Sequence, residues 1–117
     1  MNYNAIADKS FKFAIRIVNL HKYLRNTKSE FIMSKQLIRC GTSIWANVAE
    51  AEKAQSTPDF YTKLTIALKE ANETHYWLRL LNATEYITEE EFKSIDTEAT
   101  ELIALLVSIT KTLKEQI

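Results

Sequence analysis

The sequence predicts an all-α domain, an antiparallel up-down-up-down four-helix bundle. Two observations carry that expectation. Four stretches repeat apolar residues every three or four positions, and the 117-residue chain holds one Gly and one Pro, too few turn residues for an all-β sandwich or an α/β fold. The connections between the periodic stretches are short, so successive helices reverse direction to pack on one another. The length suits one domain, residues 1–117, with a single core.

The first helix is expected over about 5–26, with Phe13, Ala14, Ile17, Leu20, His21 and Leu24 on one side. Phe11, Ile15 and Val18 widen that apolar sector beyond half the circumference, and Lys9, Lys12 and Arg16 share the remaining strip. Residues 26–29 (Asn-Thr-Lys-Ser) read as a turn with Ser29 as a candidate cap. The second helix follows over about 30–52, with Met33, Leu37, Cys40, Gly41, Ile44, Val48 and Ala51 as its main stripe. A glycine inside a helix costs about 1 kcal/mol relative to Ala; Gly41 is read as a close approach to a neighbouring helix in preference to a kink.

Thr57-Pro58-Asp59 opens the third helix, over about 58–82, with Thr57 as cap and Pro58 in the first helical position. Its stripe is Phe60, Leu64, Ala67, Leu68, Ala71, His75, Leu78 and Leu81. Thr88 and Glu91 have the spacing of a capping box. The fourth helix, over about 89–115, repeats Phe92, Ile95, Ala99, Leu102, Leu106, Ile109 and Leu113.

A monomeric bundle needs one apolar stripe per helix about 100° wide, and the first two helices exceed it. Ile38 and Trp45, with Ile66 and Trp77 on the third helix, therefore mark a candidate subunit interface, because large apolar patches are rare on monomers and aromatics are enriched where subunits meet. The alternative is that the two tryptophans cap the core from its edges.

Charge is neutral overall but divided. Residues 1–30 carry six basic and two acidic side chains, net +4, and residues 84–117 carry three and eight, net −5. Mutual attraction of the first and fourth helices, within or between subunits, is the simplest reading. The competing one is a nucleic-acid or partner patch made of Lys9, Lys12, Arg16, Lys22, Arg25 and Lys28, although a pI near 6.7 does not favour it.

Nothing in the sequence assembles a catalytic or metal site. A di-iron bundle requires two Glu-x-x-His pairs; Glu70 is followed three residues later by Glu73, Glu73 by Tyr76, and Val18 precedes His21. Cys40 lies in an apolar stripe, where a thiol behaves as a small hydrophobe, and the lone Gly forms no phosphate-binding loop. No cofactor and no enzymatic activity are expected. A single Cys, no apolar run of about 18 residues and a polar start point to a cytoplasmic, non-membrane setting.

The stretch Thr42-Ser43-Ile44-Trp45-Ala46-Asn47-Val48-Ala49-Glu50 is the most specific in the chain. With Glu30-Phe31, Gln36-Leu37-Ile38-Arg39, Phe60, Ile66-Ala67-Leu68, Glu70, Leu81 and Glu85-Tyr86-Ile87, it resembles the four helix bundle proteins, also called the 23S rRNA intervening-sequence or S23 ribosomal protein family, encoded in segments inserted in bacterial 23S rRNA genes. One departure is Ala51, where the family commonly places Gly, which lets the second helix run further. The resemblance implies homopentameric rings. It also reaches the accessory proteins of diversity-generating retroelements, which bind nucleic acid and a reverse transcriptase but are markedly basic. Arg39, Asn47, Glu50 and Glu70 match the family's polar pattern and are read as a structural network fixing helix register, with a ligand site as the minority alternative.

The functional expectation is a non-enzymatic, homo-oligomeric binding or assembly module, with RNA, DNA or a nucleoprotein as candidate partner. A purely structural scaffold or adaptor is the alternative, and a bundle enzyme with an unrecognised site the least favoured.

Overall fold

The computed structural model describes residues 3–117. Four α-helices follow in order: α1 (Tyr3–Asn26), α2 (Met33–Ala51), α3 (Thr57–Ala83) and α4 (Glu89–Glu115). They pack α1 on α2, α2 on α3 and α3 on α4, and the seam between α1 and α4 is the thinnest. The result is a rod of 46 × 21 × 19 Å. All the expected helices form, with the fourth beginning and ending where its periodicity does.

The core consists of the residues that the periodicities select. Ile6, Phe13, Ile17, Leu24, Leu37, Ile44, Val48, Leu64, Leu78, Leu81, Leu102 and Leu106 are buried in one cluster. Gly41 is a close approach and not a kink. A Cβ placed there would stand 2.8 Å from Ile17 Cγ1 and Cγ2, inside the roughly 3.5–4.0 Å of normal carbon contact. The helix continues through it.

Two helix starts differ from expectation. Ser29 is not a cap: it adopts φ 52°, and α2 begins three residues later than the expected residue 30. The cap is instead the Glu30 carboxylate, which accepts hydrogen bonds from the backbone N–H of Ile32 (3.1 Å), Met33 (3.1 Å) and Ser34 (2.7 Å). A carboxylate satisfies orphan donors at the positive end of a helix better than a hydroxyl can. At α3 the cap is Ser56 rather than Thr57. Its hydroxyl accepts from Asp59 N–H at 3.2 Å, and Thr57 and Pro58 occupy the first two helical positions. The Thr88–Glu91 capping box forms with both bonds present, at 3.1 and 2.8 Å. Helix α2 closes at Ala51, so the Ala found in place of the family's Gly does not extend it.

Candidate functional site

Helix α1 divides its surface between two neighbours, and the two sides differ. Toward α2, Phe11, Ile15 and Val18 form a stripe at helical spacing, with Lys22 next along it. Phe11 and Ile15 are 47% and 48% exposed. The Phe11 ring packs on Trp45 of α2, centroids 5.3 Å apart, and Trp45 is itself 38% exposed. Half-buried Ile38 lies two turns before Trp45 on α2. An apolar edge therefore runs along the α1–α2 pair without a covering element.

The four residues that the sequence grouped as an interface are divided between α2 and α3. Ile38 and Trp45 lie on this edge. Trp77 is half-buried and donates its indole N–H to Glu73 at 3.1 Å. Ile66 falls about 20° from Trp77 around α3 and is 37% exposed.

Toward α4, α1 is charged. Arg16 donates to Ser94 O at 3.2 Å and Ser94 Oγ at 3.0 Å and forms an ion pair with Glu98. Lys9 lies 3.7 Å from Glu101, and Lys12 pairs within its own helix with Asp8 at 3.0 Å. These links show the basic first helix meeting the acidic fourth within one chain, at sites too exposed to contribute much stability. Three of the six candidate patch cations are thus engaged. The other three lie near the far end of α1: the Arg25 guanidinium sits 5.0 Å over the Phe31 ring, Lys28 lies 6.0 Å from the Tyr23 ring, and Lys22 makes no ion pair among the described residues.

At the α1–α4 seam a groove of about 480 Å³ opens beside the Arg16–Glu98 bridge. Arg16, Leu20, Tyr23, Ile87, Glu90 and Ile95 are among the residues that line it. A second hollow of about 360 Å³ shares Tyr23 and Ile87 with it and adds Lys28, Glu85 and Glu89, the last paired with Lys93 at 3.9 Å.

The polar set expected on α2 separates into three. Arg39 reaches Glu70 at 3.3 Å and pairs with Glu73, and this cluster joins α2 to α3. Asn47 donates to Ser43 O of its own helix at 2.8 Å. Glu50 is exposed, with Lys63 at 3.8 Å. The set read as one structural network is therefore not joined by the hydrogen bonds and ion pairs that form.

The structure also forms polar contacts that the sequence analysis did not anticipate. His75 Nδ1 lies 2.6 Å from Asp96 Oδ1, tying α3 to α4, and Asp96 is 9% exposed. Asp96 sits one residue after core Ile95 and three before core Ala99, a position that could have signalled a buried acid. His21 Nδ1 donates to Ser34 O at 3.0 Å. Burial pushes the Cys40 thiol up to about 11, against smaller lowering by Thr74. Among the described residues no three His, Cys, Asp or Glu side chains converge to hold a metal ion, and no helix is long and apolar enough to cross a membrane.

The model of one family, described as 23S rRNA-intervening sequence protein, matches residues 3–108. The chain belongs to this family. The intervening-sequence fold is shared with a crystal structure of a protein of unknown function from the S23 ribosomal protein family of Bacteroides thetaiotaomicron VPI-5482. The two are 60% identical with a TM-score of 0.93, over 95% of this chain and 99% of that one. No protein of curated function matches the chain.

Proposed function

We propose that this intervening-sequence protein is a non-catalytic assembly module that self-associates through its α1–α2 edge. The observation that carries this reading is the uncovered apolar stripe of Phe11, Ile15 and Trp45. The cost of leaving aromatic surface in water is relieved when a second subunit covers it. Family resemblance implies a ring of five. Light scattering on a sizing column tests the reading: a mass several times 13.5 kDa that falls in a Phe11→Ser/Trp45→Ser variant supports it, and a monomeric wild type refutes it.

A nucleic-acid partner is the second reading. It is favoured by one observation, the placing of Arg25 over the exposed Phe31 ring and of Lys28 near the Tyr23 ring, since cations beside aromatics suit backbone contact and base stacking. Added structured RNA that raises the mass at low salt and is released as salt rises would support it. Indifference to RNA at every salt concentration would leave the scaffold reading alone.

A further inference from the structure

The edge of the bundle formed by α3 and α4 shares no helix with the α1–α2 edge of the assembly reading. It carries a hollow of its own. Near the end of α3, Tyr76, Arg79, Leu80, Asn82 and Ala83, together with half-buried Phe92 of α4, line a space of about 430 Å³. Tyr76 and Leu80 lie one turn apart on one face of α3 and are 61% and 44% exposed.

Arg79 is the one charged residue that lines this hollow, and it differs from the other three arginines of the chain. Arg16 is held by Ser94 and Glu98, Arg39 by Glu70 and Glu73, and Arg25 lies over the Phe31 ring. Arg79 makes no hydrogen bond, ion pair or ring contact among the described residues. The acids around Phe92 in the chain are directed elsewhere. Asp96, one turn on, is held by His75 at 2.6 Å, and Glu89 pairs with Lys93 at 3.9 Å. Glu85 lines the separate hollow beside Tyr23. The bundle therefore leaves one cation without a counter-charge beside exposed apolar side chains.

We infer that this hollow docks a short acidic and apolar segment of a protein partner, with apolar side chains seated on Tyr76, Leu80 and Phe92 and a carboxylate on Arg79. Tyrosine and arginine are the residues in which interfaces concentrate their binding energy. A guanidinium offers a carboxylate two parallel hydrogen bonds, and apolar contact beside it excludes the water that would weaken them. One cation in an apolar hollow suits a single carboxylate, whereas a nucleic-acid backbone requires a row of cations. Five of the six lining residues belong to α3, so the shelf is already ordered and little entropy is lost when it is covered. From Tyr76 to Ala83 it runs about 10 Å at the helical rise, room for about two turns of an amphipathic helix laid along it.

The test titrates the full-length protein into two labelled, end-capped peptides of about 15 residues, long enough to form helix, and follows fluorescence anisotropy. Both carry a leucine and phenylalanine face; glutamates flank it in one and lysines in the other. The wild type should bind the glutamate peptide at least about tenfold more tightly than the lysine peptide. Arg79→Glu, checked for helix content by circular dichroism, should invert that order, and Tyr76→Ser/Leu80→Ser should weaken both peptides. Equal binding of the two peptides, an order unchanged by Arg79→Glu, or no binding of either overturns the inference. A fall in assembly mass with Tyr76→Ser/Leu80→Ser would give the hollow to a second copy, and loss of RNA retention with Arg79→Glu would give it to nucleic acid; either overturns it. Phe11→Ser/Trp45→Ser should bind the glutamate peptide as the wild type does, and loss of binding in that variant also overturns the inference. A monomeric wild type that still prefers the glutamate peptide refutes the assembly reading and supports this one.

Discussion

Replacing Gly41 with Ala should destabilise the bundle by about 2 kcal/mol, opposite in sign to the usual effect of this change in a helix. In an unobstructed helix interior, Gly→Ala gains about 1 kcal/mol, chiefly by restricting the unfolded backbone. Here the new Cβ would arrive 2.8 Å from both Cγ1 and Cγ2 of Ile17, about 1 Å inside normal contact. Both atoms hang directly on the Ile17 β-carbon. A β-branched residue in a helix has one strongly preferred χ1, so rotation is a costly escape. Ile17 is fully buried, leaving separation of α1 from α2 as the main relief. Overpacking of this kind costs about 1–3 kcal/mol; taking the upper end for two simultaneous overlaps and subtracting the propensity gain leaves about 2. With a urea dependence of about 2 kcal/mol per molar, the midpoint should fall by about 1 M. Urea melts followed by circular dichroism, at one fixed protein concentration because association shifts apparent stability, provide the measurement. Ile17→Ala alone should cost about 2–5 kcal/mol, yet on that background Gly41→Ala should become neutral or stabilising by up to about 1 kcal/mol. An unchanged or higher midpoint for the single Gly41→Ala variant would refute the close-packing argument.

Other outcomes follow from individual contacts. Glu30→Gln should lower stability by about 1 kcal/mol at neutral pH through loss of the charged cap. Burial alone would raise the Glu30 carboxyl, but the N–H groups of Ser34, Met33 and Ile32 outweigh it and leave it below the ordinary 4.5. The wild-type advantage should therefore be full above 4.5 and disappear as the pH falls through the lowered folded value, as paired urea melts across that range will show. Glu50→Ala and Asn47→Ala should each change the urea midpoint by the equivalent of less than about 1 kcal/mol, because Glu50 has a distant, exposed partner and Asn47 bonds only its own helix. Asp96→Ala should cost about 1–3 kcal/mol, since it leaves the His75 donor without its partner. The Cys40 thiol should resist a thiol-specific reagent at pH 8 in the native protein and react promptly in denaturing urea, as its burial and raised pKa require.

Family membership does not carry a nucleic-acid role to this chain. Its net charge is zero, and Arg16 and Lys9 are drawn onto α4. Of the cations left at the α1–α2 end, Arg25 and Lys28 lie by aromatic rings, an arrangement that serves a protein contact as well as an RNA contact. The mass measurements above separate the two.

Much of the fold was legible in the sequence because helical periodicity is a local signal. Leu37, Cys40, Ile44, Val48 and Ala51 repeat along one face of α2 whatever that helix packs against, and all are buried. The same holds for Ile95 through Leu113 on α4 and for the capping box at Thr88, whose bonds span three residues. Gly41 was also readable, since a glycine in a strong helix has few other reasons to be there.

The candidate site was less legible because its contacts depend on which helix lies opposite. Arg39 and Glu50 share a direction on the wheel, but Arg39 meets Glu70 and Glu73 while Glu50 meets only solvent and Lys63. Phe11 and Ile15 read as an apolar excess beside the core stripe of Phe13 and Ile17, and only the packed structure shows them half exposed. The cap of α2 depends on the chain turning back at Ser29 to bring Glu30 onto the helix end. By itself the sequence determined four amphipathic helices, their order and their inward faces, since spacing along one chain specifies those. Only the tertiary structure decided which apolar residues remain uncovered, which charges are spent across the α1–α4 seam and where a groove opens, because each of these is a relation between surfaces distant in sequence.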